Sequence, residues 1–346
     1  MKKAFLTIIF IIIIFIVILT LYKSKIPTVE NPTLNGNIVD KNTVSYNGWL
    51  HTDGYKLENE KNELIQLRGL SSHGIEWYSE LITEENMQVL KDDWHINIFR
   101  IAMYVDSNGS GYISNPEKNK ELVFNIIDLA VENDMYVVID WHTLNDNNPQ
   151  THKDEAKIFF DEVSQKYSNI PNVIYEICNE PNGEDVTWDK DVKPYAEEII
   201  PMIRKNSPKS LIIVGTPNWC KDLDKAADNP LNFNNVVYSC HFYSGTHRGE
   251  LRNKIDYCIN KNIPIFISEC GLTNATGNGT IYFDDFNTWI SYLNDKKISW
   301  IYWAFSNKNE SSAILLQEYN INNADKKLDN YLSDAGQFVK EIFLKY

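Results

Sequence analysis

Two glutamates stand where apolar, β-branched runs give way to loops: Glu180 in Y-E-I-C-N-E-P and Glu269 in I-F-I-S-E-C-G. Carboxylates are seldom buried without a partner, so a glutamate at the end of a hydrophobic run is either ion-paired or chemically employed. Two of them suggest a pair, one protonated and one ionised. Such a pair is what hydrolysis of a glycosidic bond requires: an acid for the leaving oxygen, and a nucleophile or base for the anomeric carbon.

The elements that would hold them recur along the chain. Apolar runs occur at Leu64 to Leu70, Ile96 to Met103, Met135 to Trp141, Val173 to Cys178, Leu211 to Val214, Val236 to Tyr243, Ile263 to Ile267 and Ile298 to Phe305. Between them lie stretches with apolar residues at helical spacing: Glu84 to Asp93, Lys120 to Asn133, Asp154 to Tyr167, Val192 to Asn206, Gly249 to Asn260 and Phe283 to Asp295. Lys221 to Asp228 is the weakest of the helical stretches, and Asp334 to Tyr346 would be the last. Near-continuous hydrophobic strands alternating with helices imply a parallel sheet covered on both faces. Eight such units predict an α/β chain folded as a (β/α)8 TIM barrel. Before them, the alternation from Gly48 to Arg68 predicts a short β-hairpin.

In such a barrel the active site forms at the C-terminal ends of the strands, so unusual polar residues should gather there. The second run ends with Arg100, the third with His142, the fourth with Asn179 and Glu180, and the sixth with His241 and Tyr243. The seventh carries Glu269 and the eighth Trp303, while the loop after the first supplies His73 and Trp77. Three rim histidines raise the question of a metal, but no H-x-x-x-H or H-E-x-x-H spacing occurs. No metal and no cofactor is expected. Glu76, Asp140 and Glu176 are read as ion-paired or solvent-facing, with no assigned role.

A net charge of -14 disfavours nucleic acid and anionic surfaces as partners. Nine Trp and nineteen Tyr could stack on sugar faces, though a large core uses the same residues. The five cysteines (Cys178, Cys220, Cys240, Cys258, Cys270) read as small buried hydrophobes, with Cys240 and Cys270 on adjacent strands. At the N-terminus, Lys2 and Lys3 precede an apolar run from Ala4 to Leu21. Its length suits one hydrophobic helix acting as a signal anchor, with a cleaved signal peptide as the alternative. The chain then divides into residues 1–25, an anchor or signal peptide; 26–45, a polar linker; and 46–346, the barrel. Either leader places the barrel on the extracellular side, anchored to the membrane or secreted, and a monomer is expected.

The motifs L-R-G-L-S-S-H-G, F-R-I-A-M-Y, I-D-W-H, Y-E-I-C-N-E-P-N-G, H-F-Y-S-G-T-H, I-S-E-C-G and W-A-F-S-N-K-N-E-S-S follow one another in this order. In them the chain resembles glycoside hydrolase family 5, most closely its subfamily 2 bacterial endoglucanases, over nearly everything from Tyr46 to Tyr346. The resemblance implies a retaining endo-β-1,4-glucanase acting by double displacement on cellulose or mixed-linkage β-glucan. The family's eight near-invariant positions would fall on Arg100, His142, Asn179, Glu180, His241, Tyr243, Glu269 and Trp303. Glu180 would be the acid/base and Glu269 the nucleophile, braced by Arg100 and Tyr243, with Asn179 on the sugar 2-hydroxyl. His73, Trp77, Tyr104, Lys308 and Glu310 would line subsites on the non-reducing side. Retention implies carboxyl groups about 5 to 5.5 Å apart. Two departures concern subsites: Cys270 follows Glu269 where a bulkier residue is usual, and S-N-K-N replaces S-D-K or H-K-D. A β-mannanase or xyloglucanase on the same scaffold, and a non-catalytic carbohydrate-binding surface protein, remain alternatives.

Overall fold

A computed structural model describes residues 40–106, 108–322 and 327–346. The apolar run at Ala4 to Leu21, with the helix and anchor expected of it, lies outside the described residues. Among these, no helix is long and apolar enough to cross a membrane.

A two-stranded antiparallel hairpin, β1 (His51–Asp53) and β2 (Lys56–Glu58), comes first. Eight parallel strands follow: β3 (Arg68–Ser72), β4 (Ile98–Tyr104), β5 (Tyr136–His142), β6 (Val173–Glu176), β7 (Ile212–Val214), β8 (Val236–Tyr243), β9 (Ile265–Gly271) and β10 (Trp300–Phe305). They close in chain order, with β10 pairing β3. The α/β barrel expected from the eight apolar runs is the fold observed, with the hairpin in its expected place. The helices likewise fall within a few residues of the expected spans. Pro116 starts one of them, Pro116–Glu132, four residues early, because proline is preorganised for the first helical turn.

Strand alternation sorts the side chains into two sets. On β4, Phe99, Ile101 and Met103 belong to the large core between barrel and helices, while Ile98 faces inward with Tyr136, Val138, Ile174, Ile213, Val237, Phe266 and Ile301. Leu50 of the N-terminal segment and Leu57 of the hairpin join this inner cluster, so the hairpin plugs that end of the barrel. Val44, on the single turn Val44–Asn47 capped by Thr43, packs there too. One alternation further along the strands, the inward positions turn polar: Ser71, Arg100, Asp140, Glu176, Ser239 and Ser268 are all fully buried. The apolar layers thus form a floor for a charged layer, and the site stands on that layer.

All five cysteines are buried and free, as small hydrophobes would be.

Candidate active site

β9 departs from alternation where it matters most. Ser239 and His241 of β8 are two residues apart, whereas their β9 partners Phe266 and Glu269 are three apart. The pairing of β9 with β10 carries the same extra residue between Ile267 and Cys270. A bulge of this kind re-aims side chains. Here it lets two consecutive residues, Ser268 and Glu269, both reach the interior side chains of neighbouring strands, while Ile267 and Cys270 pack in the outer core.

Arg100 is the hub of the charged layer and is completely buried. Its Nε donates to Glu176 Oε2 (2.6 Å), Nη1 to Glu269 Oε2 (3.1 Å), and Nη2 to Asn179 Oδ1 (2.7 Å). Nη2 also lies 2.9 Å from Asp140 Oδ2. Burial works against the Arg100 cation, but Asp140, Glu176 and Glu269 outweigh it and raise its pKa. Asp140 and Glu176 are themselves raised by burial, which the Arg100 charge only partly offsets. These two acids, left without a role in the sequence reading, do form ion pairs. Those pairs lie inside the barrel rather than at its surface.

Above the hub, Glu269 accepts from the Tyr243 hydroxyl at Oε1 (2.6 Å) and from Arg100 at Oε2. Each of its oxygens thus has a donor, one of them a cation. His142 Nδ1 is 2.6 Å from Asp140 Oδ2, and burial lowers its pKa to about 3. The neutral ring therefore donates from Nδ1 to Asp140. That leaves Nε2 to accept from Asn179 Nδ2 at 3.4 Å, while Asn179 Nδ2 also donates to the Thr143 carbonyl. Glu180 sits at the edge of the cleft with its side chain 12% exposed, and its Oε1 is 2.8 Å from His241 Nδ1. Burial raises the pKa of Glu180 against the lowering influence of His142, Arg100 and Lys221.

The two glutamates come together as the sequence predicts: donor atoms of Glu180, Glu269 and His241 all lie within 4.8 Å of one another. Among the described residues this trio could also geometrically hold a cation. Its donor atoms are already committed, however, and a metal would have to displace the Arg100 and Tyr243 hydrogen bonds to Glu269.

An open cleft of about 460 Å³ covers the pair, walled by Tyr104, His142, Trp303 and Tyr243. Trp303 stacks on His142, with ring centres 5.4 Å apart and planes 18° apart. At one end His73, Lys308 and Glu310 converge: Lys308 Nζ is 3.0 Å from His73 Nε2 and 2.7 Å from Glu310 Oε2. Trp77, 43% exposed, is outside the cleft wall but packs edge-on against Tyr104 at 5.1 Å. Arg100 and Asn179 lie beneath the cleft rather than in its wall.

Sequence reasoning missed Trp219 and Lys221, which wall the cleft beyond Glu180. Asn218, Trp219 and Cys220 take left-handed backbone in succession (φ 58°, 54° and 57°), an arrangement that costs non-glycine residues about 1 to 3 kcal/mol each. It is tied down by the Trp219 amide donating to the Pro181 carbonyl and the Cys220 thiol to the Asn179 carbonyl. A run of unusual backbone beside Pro181 and Glu180 signals a shaped wall. The segment P-N-W-C contains no glycine to announce it.

Gly215 supports the same wall. A β-carbon there would lie 2.4 Å from the Cys178 carbonyl oxygen and 2.7 Å from that of Asn179. Gly215→Ala should therefore push back the backbone that carries Glu180. A shift of about 1 Å costs on the order of 10²-fold in rate. Steady-state kinetics together with a melting curve checks this; unchanged kcat would show that the loop has slack.

The sequence model of the cellulase family, glycosyl hydrolase family 5, matches residues 57–309. The chain belongs to this family. Within family 5 it is 46% identical over 299 residues to an endoglucanase of Clostridium saccharobutylicum, covering 86% of this chain and 66% of that protein. It is 47% identical over 280 residues to endoglucanase A of Evansella cellulosilytica, covering 80% of this chain and 56% of that one. The chain thus spans less than two thirds of the length of these relatives. Among solved structures, cellulase Cel5C_n superposes with a TM-score of 0.84 at 42% identity, over 89% of this chain and 95% of that one. The catalytic domain of Thermobifida fusca endoglucanase Cel5A, in complex with cellotetraose, does so with a TM-score of 0.80 at 33% identity, over 87% and 99%.

Proposed function

We propose that this family 5 protein is a retaining endo-β-1,4-glucanase that cleaves internal bonds of cellulose or mixed-linkage β-glucan. The observation that carries the reading is the approach of Glu180 to Glu269, within 4.8 Å, at the base of an open cleft. That spacing is close to the roughly 5 to 5.5 Å of retaining glycosidases and well short of the roughly 6.5 to 9.5 Å of inverting ones, so it suits a covalent intermediate. The endoglucanase names of its relatives and the cellotetraose bound by the T. fusca domain favour a β-glucan as the occupant.

In the first step Glu269 attacks the anomeric carbon while Glu180 gives its proton to the departing oxygen. In the second, Glu180 takes a proton from water, whose oxygen displaces Glu269. Tyr243 and Arg100 hold the attacking carboxylate in place, and Trp303 provides a flat apolar face for the sugar ring. Asn179 would meet the 2-hydroxyl through the amide proton that makes the long 3.4 Å contact with His142. His73, Tyr104, Lys308 and Glu310 offer polar and aromatic contacts to sugars on one side of the scissile bond, with Trp77 supporting Tyr104. Trp219 and Lys221 do so on the other.

The test is release of reducing ends from carboxymethylcellulose, mixed-linkage glucan, glucomannan and xyloglucan. Carboxymethylcellulose or mixed-linkage glucan should be cut fastest, with viscosity falling before many reducing ends appear. A faster rate on glucomannan or xyloglucan would select those substrates instead, and binding without cleavage would leave a carbohydrate-binding protein. Trp219→Ala should raise KM for cello-oligosaccharides roughly 5- to 10-fold, equivalent to about 1 kcal/mol of lost stacking, with kcat changing less. An unchanged KM would remove Trp219 from the binding surface.

We also infer that the enzyme acts outside the cell, exported and held by the apolar segment Ala4 to Leu21. N-terminal sequencing of the mature protein tests the anchor: a start beyond Tyr22 would show cleavage.

A further inference from the structure

Ser268 is fully buried beneath the two carboxyl groups and is not part of the cleft wall. Its hydroxyl has three polar neighbours: Glu176 Oε1 at 2.5 Å, Ser239 Oγ at 2.6 Å and His241 Nε2 at 3.0 Å. A serine hydroxyl offers one proton and two lone pairs, so the three contacts fill it. Glu176 faces the Arg100 guanidinium through its other oxygen and, as a carboxylate, can only accept. The Ser268 proton therefore goes to Glu176. Ser239 and His241 must then donate to Ser268, which puts a proton on His241 Nε2. Burial lowers the His241 pKa to about 4, so at neutral pH the ring carries that one proton and its Nδ1 is bare. The group 2.8 Å from the bare nitrogen is Glu180 Oε1. Only a protonated Glu180 can make that hydrogen bond.

We propose that Ser268 is a positioning residue: it fixes the His241 tautomer with the proton on Nε2, and so keeps the proton of the Glu180–His241 pair on Glu180, ready for the leaving oxygen. The proposal rests on the reading of Glu180 as the acid. It also accounts for the return of the proton. When Glu180 has delivered its proton, its carboxylate faces the lone pair of Nδ1, a repulsive contact. That contact is relieved when Glu180 takes a proton from the attacking water, whose oxygen bonds to the anomeric carbon as the bond to Glu269 breaks and its electron pair returns to Glu269.

Other groups face the same pair. Positive charge comes from Arg100 on β4 and Lys221 after β7, and negative charge from Asp140 on β5, Glu176 on β6 and Glu269 on β9. The rings of His142 and His247, the phenols of Tyr104 and Tyr243, and the Cys220 thiol complete the surroundings. Of these groups Ser268 touches only Glu176, which keeps its Arg100 partner on the other oxygen when the serine hydroxyl is removed, so a change at Ser268 reads chiefly the relay through His241.

The test compares full-length wild type with Ser268→Ala and Ser268→Thr. In Ser268→Ala, Nε2 is left 3.9 Å from its nearest carboxylate oxygen, Glu176 Oε1, and the ring is free to turn its proton to Nδ1 and donate to an ionised Glu180. The basic limb of kcat/KM should move about one unit toward acid, the size expected for one hydrogen bond switched to the charged form. Ser268→Thr keeps the hydroxyl and should restore the limb. The loss in Ser268→Ala should also be greater on cello-oligosaccharides than on aryl cellobiosides, whose good leaving groups need little acid help. In wild type, nitrogen NMR shifts should show His241 protonated at Nε2. An Nδ1–H tautomer there, or a basic limb in Ser268→Ala that coincides with wild type, would overturn the proposal. The underlying reading fails separately: Glu180→Gln would then lose activity equally on both substrate types.

Discussion

Glu269→Ala is expected to lower turnover of soluble β-glucan by roughly 10⁴-fold or more, because the proposed mechanism assigns the covalent bond to the anomeric carbon to this carboxylate alone. The fold should survive, since the residue stands at the top of the charged layer and the apolar floor lies below it. Added azide decides the role. In Glu269→Ala azide can occupy the vacated space and attack directly, giving a glycosyl azide of inverted configuration. In Glu180→Ala azide attacks the glycosyl-enzyme instead, giving retained configuration, and the loss of about 10²- to 10⁴-fold falls mainly on substrates with poor leaving groups. The opposite pattern of products would exchange the two roles. Near-normal activity in either variant would end the proposal.

The geometry explains why two carboxyl groups so close should divide the work this way. Glu269 receives two hydrogen bonds, one from a cation, and its charge is thereby satisfied. Glu180 faces a neutral imidazole and the cleft, and burial raises its pKa above the ordinary 4.5. Environments that separate two neighbouring carboxyl groups mark an acid and a nucleophile. The basic limb of kcat/KM should accordingly lie above the range of an ordinary glutamate, since Glu180 stays protonated to a higher pH.

Much of this was legible in the chain. Strands buried on both faces write themselves as apolar runs, and a closed barrel aligns their ends, so polar residues at run ends such as His142, His241 and Tyr243 could be assigned to one rim. What lies one step below the rim was not. Asp140 and Glu176 look like ordinary acids beside apolar neighbours, and only closure of the barrel turns their inward positions toward Arg100. Ser268 was hidden for another reason. A strict period of two would send Ser268 and Glu269 to opposite faces, and nothing local in I-S-E-C-G announces the bulge that gathers them. Trp219 owes its place at the cleft to three left-handed residues whose types give no warning. Placement within strands follows from hydrophobicity; the irregularities that shape the site arise from tertiary contacts that override it.

The charged layer makes a second large effect expected, this time on stability. Arg100→Met replaces the cation that, among the described residues, pairs with Asp140, Glu176 and Glu269 by an apolar chain of similar reach. Removing one partner of a buried ion pair leaves uncompensated charge and costs about 3 to 5 kcal/mol. The sign of its pH dependence follows from the direction of the shifts. Asp140 and Glu176 are already raised above 3.8 and 4.5 by burial, and Arg100 is what opposes the rise. Without it their folded-state values climb further above the unfolded ones. A group shifted upward destabilises the folded state as pH rises through its folded value, and the penalty vanishes below its unfolded value. The deficit of Arg100→Met against wild type should therefore be greatest at neutral pH and shrink toward about pH 4 to 5, where the acids can fold in protonated form. Urea unfolding at pH 7 and pH 5 measures it. Arg100→Lys, which keeps the charge but not the planar fork, should recover part of the stability and little of the activity, because one ammonium cannot hold Glu176, Asn179 and Glu269 in fixed directions at once. A deficit that stays constant with pH would mean that lost packing, not unpaired charge, is what the barrel feels.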